Sequence, residues 1–243
     1  MLTVGLIGAG RIGRVHASTI VQDEGSQLVA VADSVDENAK NLAKLYKVNP
    51  RSVDAIFEDN SIEAILIASS TDTHSDFIEK ASIAGKAILC EKPVDLSLAR
   101  AKRCLENTKS NEHSIMMGFN RRFDPNFVAL KNALDGGEIG TAELLSITSF
   151  DPAPPPIDYV KVSGGIFKDM MIHDFDMANF LYGELPKSIF VSASALVDKK
   201  IGALGDYDTA VATLKYTDGR LAVIKNSRRA TYGYDQRLSL IHI

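Results

Sequence analysis

Residues 2–7 form a short apolar run that ends in glycines, and residues 12–21 carry the 3.6-residue periodicity of a helix. The alternation then repeats. Apolar runs at 27–32, 64–68, 87–90 and 114–117 read as strands, and 37–46, 76–84 and 96–108 read as helices. Strands that are apolar nearly throughout must be buried on both faces, as in a parallel sheet whose crossover helices cover both sides. Residues 1–117 are therefore expected to form a doubly wound Rossmann-type α/β domain.

The pattern changes near Gly118. A helix is expected at 126–134, closed by Gly136-Gly137, and an alternating strand at 142–150. Residues 151–156 (DPAPPP) exclude regular structure, because proline fixes φ and has no N–H to donate. A further helix is expected at 167–181, closed by Gly183, then strands at 188–197, 207–216 and 220–225. Thr217-Asp218-Gly219 joins the last two as a hairpin turn. The expectation is a second α+β domain over 118–237 with a largely antiparallel sheet.

Composition adds mainly exclusions. The 243 residues include 45% hydrophobic and 24% charged positions, enough for sizeable cores without metal or disulfide staples. A net charge of -4 and the lack of like-charge blocks point away from nucleic acid. No apolar run reaches the roughly 18 residues of a membrane span. Cys90 and Cys104 form no CxxC pair and read as buried thiols in a reducing compartment. With no signal-peptide pattern at the start of the chain, a cytoplasmic protein is expected.

Gly8-Ala9-Gly10-Arg11-Ile12-Gly13 is GxGxxG, placed between the first strand and the first helix. Its glycines permit the tight turn and close approach of a pyrophosphate, which the helix N-terminus then faces with free N–H groups. Asp33 ends the second strand about 20 residues later, where a carboxylate accepts ribose hydroxyls and repels a 2′-phosphate. No arginine follows Asp33, so NAD is favoured over NADP. Ser69, Thr71 and His74 lie just past the strand at 64–68, on the ligand side of such a sheet, where they can contact the cofactor or only cap the next helix.

Glu91-Lys92-Pro93 follows the strand at 87–90 on the same side. A lysine there suits proton transfer if burial and a neighbouring cation bring it toward neutrality, and Pro93 is a candidate cis residue. The alternative is a surface lysine paired with Glu91. Asp169 and His173 are spaced i, i+4 on an expected helix, with Asp176 on roughly the same side. An Asp–His pair can relay the proton of an alcohol as hydride leaves carbon, or it can be a core histidine satisfied by a carboxylate. One histidine and two acids on one helix do not make a metal site. Arg121 and Arg122 can bind ligand or pair with Asp124, and His16 reads as packing.

Together, GLIGAGRIGRVHA (5–17), EKP (91–93), GFNRRFDP (118–125) and GGIFKDMMIHDFDMANFL (164–181) resemble the family of glucose–fructose oxidoreductase, inositol 2-dehydrogenase and the rhizopine-catabolism dehydrogenases. The DPAPPP and IHDFDM stretches are most similar to its inositol 2-dehydrogenase branch. The resemblance implies NAD-dependent oxidation of a polyol hydroxyl, myo-inositol foremost, with Lys92, Asp169 and His173 catalytic. It implies substrate contacts from Lys92, Asn120, Arg121, Asp151, Asp169, His173 and one of Tyr232 and Tyr234. It also implies a homo-oligomer, dimer or tetramer. Another polyol or an aldose as substrate, or a non-catalytic NAD-binding sensor on the same fold, stays open. Residues 238–243 (LSLIHI) match a translated transposon mosaic-end adapter, so native sequence is expected to end near Arg237 with the second sheet incomplete.

Overall fold

The computed structural model describes residues 1–109 and 114–242; Ile243, in the expected adapter-derived segment 238–243, lies outside the described residues. The chain divides into two units, Met1–Gly118 and Phe119–Ile243. The first opens with β1 (Leu2–Ile7), α1 (Arg11–Gln22), β2 (Ser26–Ala32) and α2 (Asp36–Tyr46). It continues with β3 (Asn49–Pro50), α3 (Val53–Glu58), β4 (Ala64–Ile67), α4 (His74–Ile83), β5 (Ala87–Cys90), α5 (Leu98–Thr108) and β6 (Ile115–Met117). The strands form one six-stranded sheet in the order β3-β2-β1-β4-β5-β6, and every pairing is parallel.

Alternate residues of these strands feed separate cores on the two faces, as the period of two requires. Ile7, Ile65, Ile67 and Ile88 pack with Ile56, Ile78 and Cys104 from α3, α4 and α5. Leu6, Val31 and Leu66 pack with Ala17, Ile20 and Leu42 from α1 and α2. Both cysteines are buried free thiols. The strand order reverses between β1 and β4, which puts a crevice at the carboxyl ends of those strands. The short β3 and α3 carry no periodicity long enough to read from sequence.

The second unit contains α6 (Pro125–Asp135), β7 (Ala142–Phe150), α7 (Ile157–Ser163), α8 (Ile172–Tyr182), β8 (Ser188–Ser194), α9 (Lys199–Ala203), β9 (Thr209–Lys215), β10 (Leu221–Ser227) and β11 (Asp235–His242). Its five-stranded sheet runs β11-β7-β10-β9-β8. Three pairings are antiparallel, and β7 with β10 is parallel. The sheet is thus mixed: the connection from β7 to β10 is long enough to cross over, whereas hairpins force antiparallel neighbours. One sheet face packs Leu145, Ile147, Ala212, Leu214 and Ile224 against Met171, Ala178 and Leu181. The other exposes Phe190, Val211 and Leu221. The expected helix at 167–181 proves composite, a π-helical turn at Phe167–Met171 leading into α8. No helix among the described residues is long and apolar enough to cross a membrane.

One fully buried carboxylate organises the turn between β8 and β9. Asp208 accepts backbone N–H bonds from Leu196, Val197 and Asp198 and the Thr209 hydroxyl. Burial opposes its ionisation, but these donors hold the carboxyl below its ordinary range. Its own carbonyl accepts from the Arg228 N–H at 2.8 Å. Asp208→Asn would turn an amide N–H₂ toward N–H donors and should destabilise the protein by about 2–3 kcal/mol at pH 7. A depressed carboxyl contributes stability above the ordinary carboxylate range and loses it as pH falls through its folded value. Urea melts should therefore show the difference from wild type shrinking below about pH 4; a constant gap from pH 3 to 8 would refute this role.

Candidate active site

The structure places the glycine turn where β1 meets α1, at the crevice. A Cβ on Gly13 would lie 1.8 Å from the Gly8 carbonyl oxygen, so this helix seats on the turn only through glycine. At Gly10 a Cβ would meet nothing within 4 Å. Gly10 also caps α1 without any side-chain bond. Bare, exposed backbone thus lies at the N-terminus of α1, where the unpaired N–H groups of a helix suit a pyrophosphate. Asp33 Oδ2 accepts from the Ala9 N–H at 2.6 Å, and Oδ1 accepts from Val35 N–H at 2.8 Å. The carboxylate therefore ties the second strand's end to the glycine turn, and its remaining lone pairs suit ribose hydroxyls. These residues fit NAD.

Ser69 and Thr73 share a hydroxyl–hydroxyl bond of 2.7 Å, and the 3₁₀ turn at Thr71–Thr73 has no side-chain cap. His74 is only 1% exposed. Its ring nitrogens lie 2.7 Å from the Pro93 carbonyl and 3.1 Å from the Ser69 carbonyl. It therefore braces the turn of Ser69 against the segment that carries Lys92. Lys92 is half-buried, and the Lys92–Pro93 peptide is cis. His16, expected as packing, instead bonds Glu91 Oε1 through Nε2 at 2.7 Å. Burial pushes the Glu91 carboxyl up, but His16 and the Lys92 charge more than offset this and hold it below the usual value. Spacing gave no sign of this contact, because 75 residues separate the partners.

In the second unit Asp169 lies in the π-helical turn, half-buried. Such turns recur at functional sites. The Tyr159 hydroxyl donates to Asp169 Oδ1 at 2.8 Å, and Arg228 Nη1 lies 3.7 Å from Oδ2. Asp151 belongs to the same cluster. Burial raises its carboxyl above the usual value, Arg228 and Arg121 pull it down, and Asp169 and Asp174 push it up. The His173 ring meets Phe119 edge-on, centroids 6.4 Å apart. Tyr159 and Arg228 were not anticipated. A signal existed for the arginine: Ala222, Ile224 and Asn226 are the buried positions of β10, and the next position in that period is Arg228.

The arginines of the 118–125 motif do not pair with Asp124, whose carboxylate instead caps α6 through the Asn126 N–H at 2.9 Å. Arg121 bonds Asp174, which is fully buried. Asp174 also accepts from Ser149 and from Asn226, each at 2.7 Å. Arg122 grips Asp176 with two nitrogens, at 2.8 and 2.6 Å. The two acids beside His173 are thus used in structural pairs. Asn120 is exposed. Tyr232 and Tyr234 are 72% and 76% exposed, and Tyr232 donates to Asp235 at 2.6 Å. Among the described residues no group of three or more His, Cys, Asp or Glu side chains could hold a metal ion.

A glycine turn at the switch point and an acid after the next strand are the features of a dinucleotide-binding domain. Residues 2–119 match the family model described as oxidoreductase family, NAD-binding Rossmann fold, and residues 127–241 match the GFO/IDH/MocA C-terminal domain. The chain belongs to the GFO/IDH/MocA family, and it is an NAD-dependent dehydrogenase acting on a CH–OH group. It is 51% identical over 236 residues to inositol 2-dehydrogenase of Rhizobium meliloti (strain 1021), covering 97% of this chain and 72% of that protein. The crystal structure of a myo-inositol dehydrogenase from Corynebacterium glutamicum superposes with TM-score 0.95 at 41% identity, over 100% of this chain and 73% of that one. A scyllo-inositol dehydrogenase from Lactobacillus casei, solved with NAD(H) and scyllo-inositol, gives TM-score 0.91 at 27% identity, over 100% of this chain and 74% of that one.

Two measurements test this geometry. Gly13→Ala should cost more than about 2 kcal/mol in chemical denaturation, because backbone must shift. Gly10→Ala should fold with nearly unchanged stability yet bind NAD at least about 10-fold more weakly by calorimetry. Equal behaviour of the two variants would contradict these roles. For Asp151, a raised carboxyl is a charge the folded state disfavours, so its cost appears as pH rises through the folded value. Asp151→Asn should therefore raise the melting temperature at pH 7–8 and leave it unchanged near pH 3; the opposite trend would show that the charge is welcomed.

Proposed function

We propose that the enzyme oxidises a secondary hydroxyl of a cyclic polyol, most specifically myo-inositol at C2, to the ketone. The observation that carries this reading is the Asp169 carboxylate, half-buried on a π-helical turn, bonded by Tyr159 and backed by Arg228. Such a group both accepts hydroxyl hydrogen bonds and takes part in proton movement. Support for inositol as substrate comes from the relatives, among them the Rhizobium meliloti enzyme at 51% identity.

When bound, NAD supplies the acceptor for the hydride that leaves the carbinol carbon. The chain supplies the rest. Lys92, the half-buried lysine after β5, takes the hydroxyl proton as the carbon–oxygen double bond forms. Asp169 and His173 hold the reacting hydroxyl and pass the proton onward, leaving ketone, NADH and one proton. Asn120, Arg121, Asp151 and a tyrosine of the Tyr232–Tyr234 stretch are assigned to neighbouring hydroxyls, whose pattern selects the isomer. The expected homo-oligomer rests on the family resemblance, and the exposed Phe190, Val211 and Leu221 suit a surface that self-associates.

The intact enzyme mixed with NAD and myo-inositol should produce NADH, read at 340 nm as absorbance. Lys92→Met should keep NAD affinity within about twofold and lose kcat by about 10³-fold or more. No turnover on any inositol, other polyol or aldose, despite tight NAD binding, would favour the sensor reading. Wild-type turnover by Lys92→Met would remove the role given to that amine.

A further inference from the structure

Arg228 is the one guanidinium of the second unit among the largest fully buried side chains, 1% exposed. Taking such a cation out of water is costly unless anions surround it. Two do, at distances longer than direct hydrogen bonds: Asp169 Oδ2 is 3.7 Å from Nη1, and Asp206 Oδ2 is 3.9 Å from Nη2. Asp151 also feels its charge. Nε and Nη2 make no hydrogen bond among the described residues. Arg228 is held from its backbone instead, through its N–H bond to the Asp208 carbonyl at 2.8 Å. Asp206 is itself fixed, its Oδ1 accepting the Ile166 N–H at 3.1 Å. A cation enclosed this fully cannot reach a substrate. It can fix the orientation of the carboxylate that does.

We infer that Arg228 is a positioning residue of the dehydrogenase reaction, acting from behind Asp169. This rests on the role proposed for Asp169. The guanidinium keeps the carboxylate aimed, with Tyr159 bonded to Oδ1 and Arg228 beside Oδ2. Planarity matters, because a fork can face Asp169 and Asp206 at once, whereas an ammonium is a single point.

A double-mutant cycle on the intact enzyme tests this. Arg228→Met should lower kcat by about 100-fold while KM for NAD stays within about twofold, and Arg228→Lys should recover part of kcat. In an Asp169→Asn background, Arg228→Met should cause no further loss, because its partner is already gone. Wild-type kcat in Arg228→Met, or an equal added loss in the Asp169→Asn background, would overturn the proposal. If Arg228→Met does not fold, Arg228→Lys decides alone: a kcat about 10-fold low with unchanged KM for NAD, and no loss on top of Asp169→Asn, supports the role, whereas wild-type kcat ends it. If Asp169→Asn itself keeps wild-type turnover, the function assigned to Asp169 fails, and this inference with it. Loss in Asp169→Asn without loss in Arg228→Met leaves that function standing and removes only the role of Arg228.

Discussion

Buried charge in the second unit must be matched, group by group, by donors or opposite charge. Four side chains meet that demand in different ways. Asp174 is enclosed by Arg121, Ser149 and Asn226. Asp208 is enclosed by backbone N–H groups. Asp176 is gripped by two nitrogens along one edge of the Arg122 guanidinium. Arg228 lies between Asp169 and Asp206 without a close bond to either. The first three are satisfied and rigid, and a satisfied buried network is a specifying element of a core. The fourth is incompletely satisfied, and it is the one beside the half-buried carboxylate. Unsatisfied buried polar groups are expensive, so they persist where function keeps them.

The first unit meets a different constraint with the same economy of parts. Its sheet needs a turn tight enough for α1 to seat on β1, and a phosphate approaching that turn would need bare backbone. Gly13 answers the first need and Gly10 the second. Asp33 then couples them to β2 by accepting the Ala9 N–H. On the other side of the switch point, His74 braces the Ser69 turn against Pro93, and His16 reaches Glu91. The loops at the carboxyl ends of β1, β4 and β5 are thus cross-tied by side chains, not by sheet bonds. A crevice built from loops would otherwise be its least ordered part.

Much of this was readable in advance. Long apolar runs alternating with helical periods announced the parallel sheet, because burial on both faces leaves no other pattern. The expected strands at 142–150 and 188–197 and the Thr217-Asp218-Gly219 hairpin announced the second sheet. Elements shorter than about two helical turns or three strand residues, α3, α7, α9 and β3, carry too few positions to show a period. The single parallel pairing of β7 with β10 was hidden for a related reason: strand order is decided by crossovers, whose path the local pattern does not record. Arg121 and Arg122 were recognised as candidates, but their partners Asp174 and Asp176 sit on a helix more than 50 residues away.

The sequence alone determined the glycine turn after β1, the acid that follows β2, the cofactor class and the family. These rest on local chemistry: glycine's missing side chain, the period of two against 3.6, and a carboxylate at a strand's end. Tertiary structure alone decided which charges meet. It moved the arginines from Asp124 to the acids of α8, gave Glu91 a histidine from α1, put Asp169 on a π-helical turn, and set Arg228 3.7 Å from its carboxylate. The physical reason is that side-chain pairing is fixed by distance in space, and folding brings together residues whose separation along the chain carries no trace of it.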